Sequence, residues 1–272
     1  MAGDRQETRT ELTQSTGRVL IVVPTYNEAE NIAGVLNGIK SVVPAAHVLV
    51  VDDGSPDGTA AVVSNTARLL GDVHLLERAA KSGLGAAYRD GFAWGLERGY
   101  DVLVEMDADG SHDTAHLTAL LAAIDTGADL AVGSRYVPGG EIPRWSPGRR
   151  ALSRWGNRYA AAALKLPVAD ATSGFRAYRA ATLRKLDPAT LCADGYGFQV
   201  EGVWRVARHG GNITEVPICF QDRVHGSSKM SKAIVIEAMK LVTKWGAMER
   251  WTNAVDAVAH PVLHHRRVSL RH

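Results

Sequence analysis

Three aspartates stand close together in VEMDADGSHD, and the first two, Asp107 and Asp109, are separated by a single residue. Side chains two apart on an extended strand point the same way, so this pair can offer carboxylates to one hard cation. Magnesium or manganese held in this way keeps positions open for water and phosphate oxygens, and it can neutralise a departing diphosphate. An acidic turn without a ligand has the same composition, because aspartate and glycine are ordinary turn residues. The rest of the chain has to decide between the two. Asp113 is placed to cap the next helix, and His112 has a structural or supporting role rather than a catalytic one.

Basic residues gather downstream. From Arg135 to Arg158 there are six arginines (Arg135, Arg144, Arg149, Arg150, Arg154 and Arg158) against a single acid, Glu141. Such a cluster can receive phosphates or face an anionic membrane, and a solvated helix face is the plainer alternative. Several familiar phosphate and hydrolase motifs are missing. There is no G-x-x-x-x-G-K-[ST] loop, no G-x-G-x-x-G after the first strand and no G-x-S-x-G elbow. The glycines of KSGLGAAYRDG could admit a ligand to the backbone, and turn formation explains them almost as well.

The elements that must position these residues alternate. RVLIVVP, HVLVVDD, DVLVEMD and DLAVGSR are short apolar runs typical of buried strands, with DVHLLER a further strand, and segments of helical period lie between them. This pattern predicts an α/β fold with a mostly parallel central sheet flanked by helices. In such a sheet the carboxyl ends of the strands share one edge, where ligands bind. Tyr26, Asn27 and Glu28 follow the first strand, Asp52 and Asp53 the second, Asp107 and Asp109 a later one, and Arg135 the next. Acids dozens of residues apart can therefore line one cleft.

At 272 residues, 46% hydrophobic and 22% charged, the chain can bury one substantial core. A formal charge of +2 is too mild to imply nucleic acid as a partner. Cys192 and Cys219 form neither a disulfide framework nor a zinc motif, which fits a reducing compartment. The first residues lack a signal-peptide core, and no stretch approaches the ~20 apolar residues needed to cross a bilayer.

PTYNEAENI, VVDDGSPDGT, KSGLGAAYRDG, EMDADGSHD, GSRYVPGG and ATSGFRAYR together resemble the family-2, GT-A-type glycosyltransferases. In order and wording they are most similar to the polyprenyl- or dolichyl-phosphate mannose synthases, over roughly residues 19–230. The resemblance implies a GT-A fold and transfer of mannose from GDP-mannose to a polyprenyl monophosphate by a metal-assisted, inverting displacement. It assigns Pro24, Tyr26, Glu28 and Asp52 to the nucleoside and Asp107 and Asp109 to a Mg2+ or Mn2+ ion. The family often has glutamine where Ser111 stands, so a serine metal ligand here implies a water or a different geometry. Arg135 and Arg149 would handle donor and acceptor phosphates, with Arg223 and Lys229 closing over the diphosphate. A UDP-glucose-dependent relative and an inactive sugar-nucleotide-binding protein are the alternatives.

A lipid acceptor requires contact with a membrane surface. In SKAIVIEAMKLVTKWGAMERW, Glu237, Lys240 and Lys244 share one stripe, and Ile234, Val235, Ile236, Met239, Leu241, Val242 and Trp245 fill the remainder. Packing against the core or a dimer partner and lying in the membrane interface both fit this pattern. The expected organisation is a flexible segment 1–17, a catalytic domain 18–230, an amphipathic helix 231–252 and a flexible basic tail 253–272 that includes His264 and His265. The expected location is the cytoplasmic face of the cell membrane, reached peripherally, through a membrane-anchoring protein or as a homo-oligomer.

Overall fold

Strand β1 (Val19–Thr25) is built from β-branched and apolar residues that are buried on both faces, as a central strand requires. It pairs in parallel with β2 (His47–Asp52) on one side and β4 (Val102–Glu105) on the other. The full order is β3-β2-β1-β4-β6-β5-β7, with β3 at Val73–Glu77, β5 at Leu130–Ser134, β6 at Arg176–Arg179 and β7 at Ile213–Pro217. The computed structural model describes residues 17–222 and 232–259, with side chains for 17–222 and 236–251. Arg223, Lys229, His264 and His265, and the expected N-terminal segment up to residue 16, lie outside the described residues.

Strand alternation sends successive side chains to two cores. Leu20 and Val22 join Leu49 and Val51 beneath helix α3 (Leu84–Glu97), with α5 (Pro147–Leu164), α6 (Ala180–Leu186) and α7 (Gly195–Arg208) on the same face. Val19, Ile21 and Val23 join Val48 and Val50 beneath α1 (Ile32–Val42), α2 (Thr59–Leu70) and α4 (Leu117–Asp125). The stripe that seats α3 includes Gly91 and Gly95. A Cβ on Gly95 would come within 2.7 Å of both Leu20 and Leu103, so the bare backbone sets the helix-to-sheet distance.

β6 is the strand whose direction the sequence pattern does not reveal. It runs antiparallel to both β4 and β5. The chain leaves β5 at the ligand edge, makes α5 and returns at that same edge, so β6 must start where β4 ends. That return pairs Glu105 with Arg176.

The final helix, α8 (Lys232–Ala259), continues past residue 252 into the expected tail. Val242 and Trp245 are buried against the protein, and the Trp245 ring stacks on Trp204 of α7 at 5.2 Å. Thr243 meets the Tyr159 hydroxyl of α5 at 2.7 Å. The helix is therefore a packed element along this face. Glu237, Lys240 and Lys244 are exposed, but so are Ile236, Met248 and Trp251. Leu152 and Trp155 are also exposed, on α5. Among the described residues no helix is long and apolar enough to cross a membrane.

Candidate active site

The carboxyl ends of β1, β2, β4 and β5 and the start of β6 enclose a cleft of about 530 Å³. From β1, Pro24, Tyr26 and Glu28 line it. Glu28 is nearly buried and accepts from Asn31 Nδ2 at 2.9 Å, while its backbone N–H donates to Thr59 Oγ1. The Lys81 ammonium sits 3.9 Å from the centre of the Tyr26 ring.

Asp52, the last residue of β2, and Asp53, the next, divide their work. Asp52 does not line the cleft. Its buried carboxylate accepts from Thr25 Oγ1 at 2.7 Å and from the backbone and hydroxyl of Ser55 at 2.8 and 2.6 Å. Asp53 does line it, paired with Arg78 at 2.5 Å and accepting the backbone N–H groups of Ser82 and Gly83. Consecutive residues at a strand end tend to face opposite ways, and here Asp52 turns into the protein while Asp53 meets the cleft. Sequence reasoning assigned the nucleoside to Asp52; of the two aspartates it is Asp53 that lines the cleft, together with Lys81.

Asp107 and Asp109 both line the cleft beyond β4. Asp109 is buried, and its Oδ1 accepts the Ser111 N–H at 3.0 Å. Asp107 is more open and lies between the Tyr88 hydroxyl at 3.5 Å and His112 Nε2 at 3.3 Å. His112 is buried, stacked on Phe175 at 4.9 Å, so its contact with Asp107 matches a supporting role. Asp113 caps the short 3₁₀ turn Thr114–His116 by accepting from Ala115 N–H, as its position suggested. The donor set fits a hard divalent cation: two neighbouring carboxylates, with oxygen ligands throughout. Among the described residues no group of three His, Cys, Asp or Glu side chains forms a closed metal cage, so water and substrate oxygens would complete the shell. Ser111 does not line the cleft, and its buried hydroxyl has no hydrogen-bond partner among the described residues.

Arg135 enters the cleft from the end of β5, buried and clamped from behind. Its Nε and Nη2 each donate to Asp170 at 2.7 Å, and Nη2 also reaches Thr172 Oγ1 at 2.8 Å. Burial opposes the charge on both partners, but their mutual attraction wins, raising the pKa of Arg135 and lowering that of Asp170. Arg149 lies in the first turn of α5, where Ser146 caps the helix. Its guanidinium rests 3.9 Å from the centre of the Trp145 ring, with Asp222 at 3.4 Å. Arg150, Arg154 and Arg158, one helical turn apart, share a separate shallow recess with Trp155 on the outside of α5.

Behind Asp107 lies a buried polar layer that sequence reasoning missed. Burial pushes the Glu105 carboxyl up to about 7, against the opposing charge of Arg176. Gln199 of α7 is buried beside it and lines the cleft together with Gly174 and Tyr196. Glu105 could have been suspected, as an acid within the apolar run VLVE, but nothing in GYGFQVEG marks Gln199.

A mixed, mostly parallel sheet with an acidic pair and arginines converging at its strand ends defines a GT-A-type sugar transferase. Residues 20–187 match Glycosyl transferase family 2. The chain is 48% identical to the polyprenol monophosphomannose synthase of Mycolicibacterium smegmatis over 244 residues, 89% of this chain and 92% of the relative. It is 52% identical to the undecaprenyl-phosphate mannosyltransferase of Micrococcus luteus over 234 residues, 86% of this chain and 96% of that one. The chain belongs to the family-2 glycosyltransferases. A solved glucosyl-3-phosphoglycerate synthase from Mycobacterium tuberculosis, in complex with Mn2+, UDP-glucose and phosphoglyceric acid, has the same fold, with a TM-score of 0.66, 19% identity, and 88% of this chain and 84% of that chain covered.

Proposed function

We propose that the protein transfers mannose from GDP-mannose to a polyprenyl monophosphate, releasing GDP. The observation that carries this reading is the meeting of Asp107 and Asp109 with Arg135 and Arg149 in one cleft. Two carboxylates alone would repel a substrate of several phosphates, and arginines alone would not hold a divalent ion. Together they suit a reaction with phosphate on both donor and acceptor. The two mannosyltransferase relatives support the choice of sugar and lipid.

Asp107 and Asp109 would hold Mg2+ or Mn2+, whose positive charge would stabilise the diphosphate as it departs. Tyr26, Glu28 and the Asp53-braced loop would take the nucleoside. Arg135, fixed by Asp170, would meet phosphate with a guanidinium that has little freedom left to lose, and Arg149 would exchange Asp222 for an incoming phosphate. The acceptor phosphate oxygen forms the new bond to the anomeric carbon as the bond to the diphosphate oxygen breaks, and the electron pair leaves with GDP. A phosphate monoester has its second pKa near ~6, so its oxygen is already anionic and no base must take a proton. Rate enhancement then rests on orientation and electrostatics.

The lipid acceptor would be met at the cytoplasmic membrane surface. The arginines of α5 with exposed Leu152 and Trp155, and exposed Ile236, Met248 and Trp251 on α8, support a peripheral contact. A membrane-anchoring protein or a second copy of the chain would strengthen it. In this reading residues 18–230 are the catalytic domain, and the segment from 231 serves attachment.

Parallel reactions with radiolabelled GDP-mannose, UDP-glucose and UDP-N-acetylglucosamine, each with polyprenyl phosphate and Mn2+ or Mg2+, test the proposal. Label is expected in the organic extract with GDP-mannose alone. Label from UDP-glucose alone would replace the donor, and none from any donor would reject the activity.

A further inference from the structure

The cleft has a corner beside Asp107 that neither the diphosphate nor the acceptor phosphate explains. Gln199 is 2% exposed and lines the cleft from α7, where its amide meets the Glu105 carboxyl and has no other side-chain hydrogen bond among the described residues. A primary amide offers two donors and two acceptor positions, so this single contact leaves capacity for a ligand. The backbone beneath it is fixed, since Arg176 Nη1 donates to the Gln199 carbonyl at 2.5 Å. The Glu105 carboxyl therefore orients the amide without saturating it.

Gly174 shows where such a ligand fits. A Cβ there would stand 3.4 Å from Asp107 Oδ2 and 3.6 Å from Gln199 Nε2, in contact with both groups at once. The bare glycine thus leaves a space bounded on one side by an acid and on the other by an amide. Charge sorts what can enter. Phosphates go to the arginines and the cation, and the nucleoside to Tyr26 and its neighbours. A primary amide both donates and accepts, which matches hydroxyl groups that also do both.

We propose that Gln199 is a specificity-determining residue that reads hydroxyl groups of the transferred sugar in the space above Gly174. The inference rests on the nucleotide-sugar reading given above. It differs from the metal and phosphate roles because it concerns only the sugar. A site built to hydrogen-bond a hydroxyl discriminates strongly between substrates that place it differently, because a misplaced hydroxyl leaves buried groups unpaired.

The test uses the full chain and its Gln199→Met and Gly174→Ala variants. It measures kcat/KM with GDP-mannose and with GDP-glucose, and Kd for GDP alone by calorimetry. For Gln199→Met, kcat/KM with GDP-mannose should fall about tenfold or more and the preference between the two donors should shrink, while GDP binding stays within about twofold. Gly174→Ala should raise the donor KM and leave GDP binding unchanged, and it decides the matter if the methionine variant does not fold. Unchanged donor preference and kcat/KM in the folded variants would overturn the inference, as would a parallel loss of GDP binding, which marks a merely structural role. Wild-type protein that transfers no sugar from any donor would reject the nucleotide-sugar reading itself, and this inference with it.

Discussion

Arg135 and Asp170 form a two-point ion pair, Nε and Nη2 each 2.7 Å from a carboxylate oxygen, in a position where both side chains are almost fully buried. Asp170 also accepts the Arg135 backbone N–H at 3.0 Å, so one carboxylate fixes both the strand end and the side chain it presents. Removing Asp170 would strand a guanidinium that burial already disfavours. Asp170→Ala is expected to cost about 3–5 kcal/mol in urea unfolding. A cost below ~1 kcal/mol would mean that the pair does not hold Arg135 in place.

Asp109 carries the metal proposal more heavily than Asp107, being the more deeply set of the two. Asp109→Ala is expected to weaken Mn2+ binding in the presence of GDP, read by electron paramagnetic resonance, and to lower turnover by about a hundredfold or more. Full activity with unchanged Mn2+ binding would remove the carboxylate pair from the account.

Glu105 predicts a pH dependence of stability. Burial raises its pKa from an ordinary 4.5 to about 7; Arg176 and the Gln199 amide oppose the rise, and Asp107 adds to it. Between those values the folded protein holds a proton that the unfolded chain has released. The associated stability is complete below the lower value and is lost as pH rises through the upper one. At ~1.4 kcal/mol per pH unit, the loss across the window is about 3 kcal/mol. Urea unfolding at pH 5 and pH 8 should show this drop in the wild type and a smaller one in Glu105→Gln. Equal drops would contradict the assignment.

The two tryptophans of α8 should behave oppositely. Trp245, buried on Trp204, is expected to cost about 3–5 kcal/mol when replaced by alanine. Trp251 is 74% exposed, and Trp251→Ser should shift stability by less than ~0.5 kcal/mol. Combined with Trp155→Ser, it should reduce flotation with vesicles containing anionic lipid, and reduce transfer to a long polyprenyl phosphate more than to a short soluble analogue. Equal losses with both acceptors would argue against membrane contact by this face.

Much of the sheet was legible because buried strands announce themselves as runs such as VLIVVP, and the chain order of strands and helices fixes which ends share an edge. The direction of β6 was not legible, since four residues, Arg176–Arg179, carry no sign of where the preceding helix returns them. The site followed the same division. Asp107, Asp109 and Arg149 were visible as charge at strand ends or in a basic run, and they line the cleft. Asp52 and Asp53 were indistinguishable in sequence, because the choice between them depends on which way a strand end faces. Asp170 and Gln199 act through tertiary neighbours, Arg135 in one case and the space above Gly174 in the other, and no local pattern encodes either.

The anomeric configuration of the product tests the central claim most directly. Direct attack by the acceptor phosphate on α-linked GDP-mannose inverts the anomeric carbon, so the lipid extracted from a reaction with GDP-mannose and polyprenyl phosphate should carry β-linked mannosyl phosphate, read from its NMR couplings. An α-linked product, or no mannosyl lipid at all, would contradict it.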